Sequence, residues 1–125
     1  MSPRGVARAV NLGRVGLGIG LVLAPRLAGR GWLGDEAARP ATGAVLRAHG
    51  SRDAVIGAIA LHTLGDDRVG PRWLRTAAIC DGVDLWATLA ARRALPPSGV
   101  AAISAMAAGA VVAQVWAAGR IAGGA

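Results

Sequence analysis

The chain has 125 residues, of which 54% are hydrophobic and 17% are charged, and its formal net charge is +7. The length suits one domain, and the charged fraction lies below the roughly 25% of an average soluble domain. The single cysteine excludes a disulfide framework and any zinc or iron–sulfur site built from cysteines.

The positive charge alone would suit a nucleic-acid-binding protein, because arginine neutralises phosphates. Here, however, the arginines are scattered at the ends of apolar stretches, and Phe and Tyr are absent, so no aromatic platform for stacking bases accompanies them. Arginine at the ends of apolar segments is typical of membrane proteins, in which basic loops contact anionic lipid. We therefore expect a lipid bilayer, and no nucleic acid, as the partner.

Four apolar stretches are predicted to form helices, and they cover residues 6–24, 42–64, 73–91 and 98–119. Thr42 and Ser98 are the expected N-caps of the second and fourth helices. Pro25 is expected to end the first helix, because proline disfavours helical conformation in the residue before it. The segment from Arg26 to Pro40 is therefore expected to be a polar connection.

The length of each stretch fits a membrane span, because about 20 residues at 1.5 Å each cross a hydrocarbon core of roughly 30 Å. No stretch shows the broad polar face that a soluble helix needs. The sequence thus predicts an all-α fold, a four-transmembrane-helix antiparallel bundle that forms a single domain over residues 1–125. A soluble, alanine-rich four-helix bundle is the alternative, because the second and third stretches carry charges well inside them.

The first stretch also has some features of a secretory signal, with Arg4 and Arg8 at its charged start. Pro25 and Arg26 stand where a small-residue cleavage site is needed, and Arg14 interrupts the apolar run, so a retained helix is predicted. Four spans place both termini on one side of the cytoplasmic (inner) membrane. Arg14 and Arg75, if their side chains extend towards that side, favour a cytoplasmic location for both termini.

Ionisable residues fall inside the second and third stretches, where a charge near the bilayer centre costs about 2.5–3.5 kcal/mol. At 100° per residue, His49, Arg52 and Asp53 share one helix face, and Asp81 and Asp84 share another. Antiparallel pairing is expected to place Arg52 opposite both Asp81 and Asp84. Because three acids then face one permanent cation, we expect one acid or His49 to be protonated.

Three functions are compatible with this cluster. In the first, Arg52 bridges Asp81 and Asp84 and locks the helices together, as in an accessory or scaffold protein of the membrane. In the second, the chain is a cyclase- or isomerase-type enzyme acting on an apolar, isoprenoid or lipid-like substrate. Asp81 or Asp84 would then be the catalytic general acid, and Asp53 or His49 the base. The third is proton-coupled transport, which would need a dimer.

The first helix adds Asn11 and Arg14, which share a face near the terminal side and join Arg52 as candidate substrate-binding residues. No cofactor is expected, because the sequence has no Walker loop and no strand before its glycines. No metal is expected either, because His49 and His62 are too far apart to share one ion. Cys80 is interpreted as a small packing residue.

Small residues recur at helical spacing on two of the predicted helices. Such seams let helix backbones approach closely, either within the chain or between copies in a homo-oligomer, and both uses stay open. The seams are Gly16 and Gly20 on the first helix, and Ala101, Ala105, Gly109 and Ala113 on the fourth.

Three short motifs carry a resemblance to a known group of proteins: Leu-Ala-Pro-Arg at 23–26, Gly-Ser-Arg-Asp at 50–53 and Asp-Gly-Val-Asp at 81–84. Over nearly its whole length the chain resembles small, mostly uncharacterised four-helix integral membrane proteins of actinobacteria, which have a Gly-x-Arg-Asp motif in the second helix. The resemblance implies a shared polar centre, carried here by Arg52, Asp53, Asp81 and Asp84. It implies no settled activity.

Overall fold

A computed structural model describes residues 1–124, and within them the chain is all-helical with no strand. This confirms the predicted all-α class. Five α-helices follow one another, and a short 3₁₀ helix, Gly34–Ala38, lies between the second and third of them. The α-helices are α1 (Pro3–Leu23), α2 (Pro25–Leu33), α3 (Pro40–Thr63), α4 (Gly70–Ala90) and α5 (Pro97–Ala122).

The segment 26–40 was expected to be a connection, and this prediction is wrong. Pro25 ends α1 but also occupies the first turn of α2, where its missing N–H is not needed and its fixed φ suits a helix. Gly34 then ends α2 with a φ of 62°, a conformation that glycine adopts without steric cost. The expected connection is therefore a helix followed by a 3₁₀ turn.

Proline also begins α3 and α5, so the predicted N-caps Thr42 and Ser98 are wrong. Pro40 and Pro97 open these helices in the first turn, two residues and one residue earlier than those expected caps. Of the helix starts, only that of α1 has a side-chain cap, because the Ser2 hydroxyl accepts a hydrogen bond from the Gly5 N–H at 3.0 Å. Asp66 organises the turn before α4 by accepting the N–H groups of Val69 and Arg68, which hold the pKa of its carboxyl below the usual value.

The four long helices run antiparallel in chain order. Arg4 contacts the end of α3 through the Leu64 carbonyl, and Arg47, near the start of α3, contacts the end of α1 through the Val22 carbonyl. The closest packing joins α1 to α3 and α4 to α5. The helices α3 and α4 are neighbours, as expected from their short connection, but they contact each other less extensively than α3 contacts α1 or α4 contacts α5.

Two glycines let the backbones of α1 and α3 touch. A Cβ added at Gly18 would lie 2.5 Å from the Gly50 carbonyl oxygen, and one added at Gly50 would lie 2.5 Å from the Gly18 oxygen. The crossing therefore uses Gly18 and not the expected pair, because Gly16 faces open space and Gly20 makes only ordinary contact.

The longer seam of small residues on α5 faces outwards. Ala101, Ala105 and Gly109 are exposed, and Ala113 is half-buried. Most of this seam is therefore left uncovered by the described residues, and its pairing with a second copy stays a prediction. The buried positions of α5 lie on its other side, at Ala107, Gln114, Ala117 and Ala118 among others.

Two apolar clusters form the core, one near each end of the helices. The cluster near the chain termini includes Ala7, Ala60, Leu74 and Ile121. The cluster at the opposite end contains Leu21, Ala37 and Leu46, with Trp32 and Leu33 packed against it. The interior between the clusters is polar.

Two helices are long and apolar enough to cross a membrane by length and composition, namely α1 and α5. Their most apolar 18-residue windows have mean hydropathies of 1.4 and 1.8 and are mostly unburied by the rest of the chain. The helices α3 and α4 do not meet this test, because each carries several charged residues.

The glycine crossing predicts opposite effects for two alanine substitutions on the same helix. Gly18→Ala should lower the free energy of unfolding by about 1–3 kcal/mol, because its Cβ overlaps backbone atoms of α3. Gly16→Ala should raise it by about 0.5 kcal/mol, because alanine favours the helix and meets no neighbour. Denaturant unfolding followed by circular dichroism measures both, and a destabilised Gly16→Ala would contradict the crossing.

Candidate functional site

The polar layer between the two apolar clusters draws residues from all four long helices. It contains permanent cations, carboxylates, one histidine and two amides, most of them joined by hydrogen bonds or ion pairs. We call this set the ionic network, and its members are Asn11, Arg14, His49, Arg52, Asp53, Asp81, Asp84 and Gln114.

Arg14 lies at the centre of the ionic network. The residue is only 6% exposed, and its guanidinium donates to Asp53 Oδ1 at 3.1 Å and to Asp81 Oδ2. It thereby joins α1 to both α3 and α4. The expectation that this side chain extends towards the terminal side is wrong, because two buried carboxylates compensate its charge inside the protein.

Asp81 also receives a hydrogen bond from α5. Gln114, which is fully buried, donates through Nε2 to Asp81 Oδ2 at 2.7 Å. Asn11 in turn donates through Nδ2 to Gln114 Oε1 at 3.3 Å. Gln114 was not predicted as a member of the site. The available signal was its position as an amide inside the otherwise uncharged fourth stretch.

Arg52 binds Asp84, one of the two partners expected for it. Its Nη2 lies 2.7 Å from Asp84 Oδ2, and the same guanidinium contacts Asp53 Oδ1 at 2.9 and 3.2 Å. The second expected partner, Asp81, binds Arg14 instead. The predicted antiparallel register between α3 and α4 therefore gave the Arg52–Asp84 pair correctly. It gave the wrong partner for Asp81, because the prediction did not include α1.

The charge balance of the network differs from the expected one. Asp53, Asp81 and Asp84 face two guanidiniums and not one, so a single negative charge is in excess when His49 is neutral. His49 Nε2 lies 3.5 Å from Asp53 Oδ2 and 3.7 Å from Asp84 Oδ2. One proton on this histidine or on a carboxyl would make the network neutral.

His49, Asp53 and Asp84 also offer three metal-type ligand atoms within 4.8 Å of one another. Arg52 already binds both carboxylates, and its positive charge opposes a metal ion at that place. The group is therefore an ion-pair cluster closed by a guanidinium.

An apolar cavity of about 530 Å³ lies beside the network. Its ionisable floor consists of Arg14, His49, Asp53, Asp81 and Asp84, and its walls come mainly from α1, α2 and α5. The larger apolar side chains of these walls belong to Leu17, Leu21, Trp32, Ile103 and Met106.

Trp32 connects this cavity to two helices. Its ring lies 5.3 Å from the His49 ring, measured between centroids, and its indole N–H donates to Thr88 Oγ1 at 3.2 Å. Trp32 lies in the segment that was expected to be a connection, and it becomes a cavity wall because that segment folds into α2.

Other residues singled out from the sequence lie outside the network. His62 is exposed, and Cys80 is half-buried without a polar partner among the described residues.

Comparison of the chain with known protein families, with curated proteins and with solved structures gives no match.

The central position of Arg14 predicts a large loss of stability when its charge is removed. Arg14→Met should lower the free energy of unfolding by about 3–5 kcal/mol, because it leaves the buried Asp81 carboxylate without a cationic partner. Arg52→Met should cost about 1 kcal/mol, because that side chain is 31% exposed. Thermal and denaturant unfolding measure both.

A double variant supplies the control for this prediction. Arg14→Met/Asp81→Asn should be more stable than Arg14→Met alone, because the unpaired charge is removed with its partner. Equal losses in the two single variants would contradict the central position of Arg14.

Proposed function

We propose that the chain is a small integral membrane protein whose four long helices span the cytoplasmic membrane and line, together with α2, a binding cavity for a lipid-like molecule. The ionic network holds the helices together around that cavity, as an accessory or scaffold protein requires. The observation that carries the proposal is the apolar cavity lying directly on the ionisable floor.

The outward faces of α3 and α4 support the membrane placement. The inner charges of these helices, Arg52, Asp53, Asp81 and Asp84, are all partly or fully buried and paired. The middle of α4 exposes Ile79, Val83 and Trp86, the last at 70%. Exposed apolar side chains on this scale are typical of a surface that meets lipid.

The remaining charges lie at the two ends of the long helices. Six arginines and two acids are found near the termini, and six arginines and two acids are found at the opposite end. Two charged rings separated by an uncharged outer belt match the two faces of a bilayer. Because the rings are equal and Arg14 is internal, charge alone does not favour the cytoplasmic location proposed for both termini.

The membrane placement predicts the response of α4 to an added charge. Val83→Arg should sharply reduce the folded protein in the membrane fraction, because arginine near the bilayer centre costs about 2.5–3.5 kcal/mol. The same change on a water-exposed helix would alter stability by only about 0.5 kcal/mol. Thr76→Arg, at the level of the end arginines, is the matched control and should be tolerated. Equal tolerance of both variants would contradict the placement.

The shape and chemistry of the cavity favour a molecule with a long apolar part and a small polar group. Cavities of about 300–1,000 Å³ with mostly apolar walls and a few polar groups are typical ligand sites. Leu17, Ile103 and Met106 would contact the apolar part of the molecule, and the floor would receive its polar group. A lipid, an isoprenoid or a related amphipathic molecule meets these conditions.

Acid–base chemistry on that molecule is the second candidate function. It is favoured by the position of His49 and Asp84 on the cavity floor, within 3.7 Å of each other. Asp84 Oδ1 accepts no hydrogen bond from the described residues, so this carboxyl has capacity that Arg52 does not use. Asp84 would serve as the acid and His49 or Asp53 as the base of a cyclase or isomerase.

Photo-crosslinking tests occupancy of the cavity. A farnesol analogue carrying a diazirine should label α1 and α5 at cavity-lining residues that are not exposed on the outer surface, such as Ile103 and Ala107. Ala110→Phe should reduce the labelling severalfold, because Ala110 lines the cavity and the ring would fill part of it.

Val112→Phe is the matched control for this experiment. Val112 is exposed on the same helix and is not among the cavity-lining residues, so labelling should be unchanged. Circular dichroism checks that both variants fold. Equal labelling of the two variants, or labelling confined to outward-facing residues, would contradict the proposal.

A further inference from the structure

A second cavity, of about 540 Å³, lies at the end opposite the termini. It is an open cavity formed by α2, the 3₁₀ helix and the start of α3, and four arginines line it together with Asp35. We call this cavity the arginine pocket. The arginines are Arg26, Arg30, Arg39 and Arg47.

The arginine pocket has positive charge that the protein leaves largely uncompensated. Arg26 and Arg30 stand one turn apart on α2 and form no ion pair with a carboxylate among the described residues. Arg39 pairs with Glu36 at 3.1 Å. Arg47 donates its Nε to the Val22 carbonyl at 3.1 Å, and its terminal N–H groups have no hydrogen-bond acceptor among the described residues.

The geometry points to the phosphate of an anionic phospholipid as the ligand of the arginine pocket. Guanidinium groups bind phosphate through paired, charge-assisted hydrogen bonds, and basic pockets between membrane helices receive lipid headgroups. This assignment rests on the membrane placement proposed above.

Apolar neighbours select a lipid over a free phosphate. Leu27 lines the pocket and is 78% exposed, and Leu23, at the end of α1, is 76% exposed. Leu23 follows Val22, whose carbonyl accepts the hydrogen bond of Arg47, so acyl chains of a phospholipid bound in the pocket would cover both leucines. A soluble phosphate would leave these side chains uncovered, so the combination fits an amphipathic anion.

A thermal-shift experiment on the full chain in neutral detergent tests the assignment. Phosphatidylglycerol should raise the melting temperature in a saturable manner, whereas phosphatidylcholine should not. Arg26→Gln/Arg30→Gln should raise the half-saturating concentration of phosphatidylglycerol about tenfold or more, because two phosphate-binding cations are lost. These residues are exposed on α2, so the fold should be retained.

Arg72→Gln/Arg75→Gln is the matched control, because it removes the same charge from exposed positions at the other end. Its half-saturating concentration should stay within about twofold of the original. Equal losses in the two double variants would overturn the pocket in favour of general surface charge. The absence of a shift with phosphatidylglycerol would also overturn it.

One further outcome distinguishes a lipid from a free phosphate, and another distinguishes the arginine pocket from the membrane placement. An equal shift with glycerol 3-phosphate at the same concentration would overturn the lipid and leave a free phosphate as the ligand. A tolerated Val83→Arg would contradict the membrane placement without changing the thermal shift, so failure of that proposal is distinguishable from failure of the arginine pocket.

Discussion

A guanidinium in an apolar interior must find anionic partners, and Arg14 finds two of them on different helices. Asp53 fixes it to α3 and Asp81 fixes it to α4, while Gln114 extends the connection to α5. Because Gly18 and Gly50 bring the backbones of α1 and α3 into contact, Arg14 reaches both carboxylates from inside the protein. Arg14 thus links α1 directly to α3 and α4 and, through Asp81 and Gln114, indirectly to α5.

The helical class and the positions of the four long helices could be predicted from hydrophobic length and proline spacing. The exact starts of the helices could not be predicted, because a proline can end one helix and begin the next. The helix α2 could not be predicted either, because it is too short and polar to show a periodic pattern. The pair Arg52–Asp84 followed from the register of two neighbouring helices. The partner of Asp81 did not, because Arg14 comes from a distant part of the sequence and looked like a helix-end charge.

The net charge of +7 has a simple spatial explanation once Arg14 is inside. Each end of the long helices carries an excess of four positive charges, and the interior carries one excess negative charge. The excess positive charge therefore lies at the two ends of the long helices, outside the candidate site. The interior, where the cavity lies, has a formal charge of the opposite sign when His49 is neutral and all three carboxyls are ionised, so the global charge is a poor guide to the chemistry of the candidate site.

Joining helices through a buried ion network costs free energy, because each buried charge loses its hydration when it gains a partner. Apolar side chains of similar volume would join α1, α3 and α4 equally well, as they do in the clusters on either side of the layer. What the charged layer provides, and an apolar layer would not, is a polar surface within an otherwise apolar cavity. The network coincides with the cavity floor, and it is this coincidence, beyond helix packing, on which the proposed binding of a polar group rests.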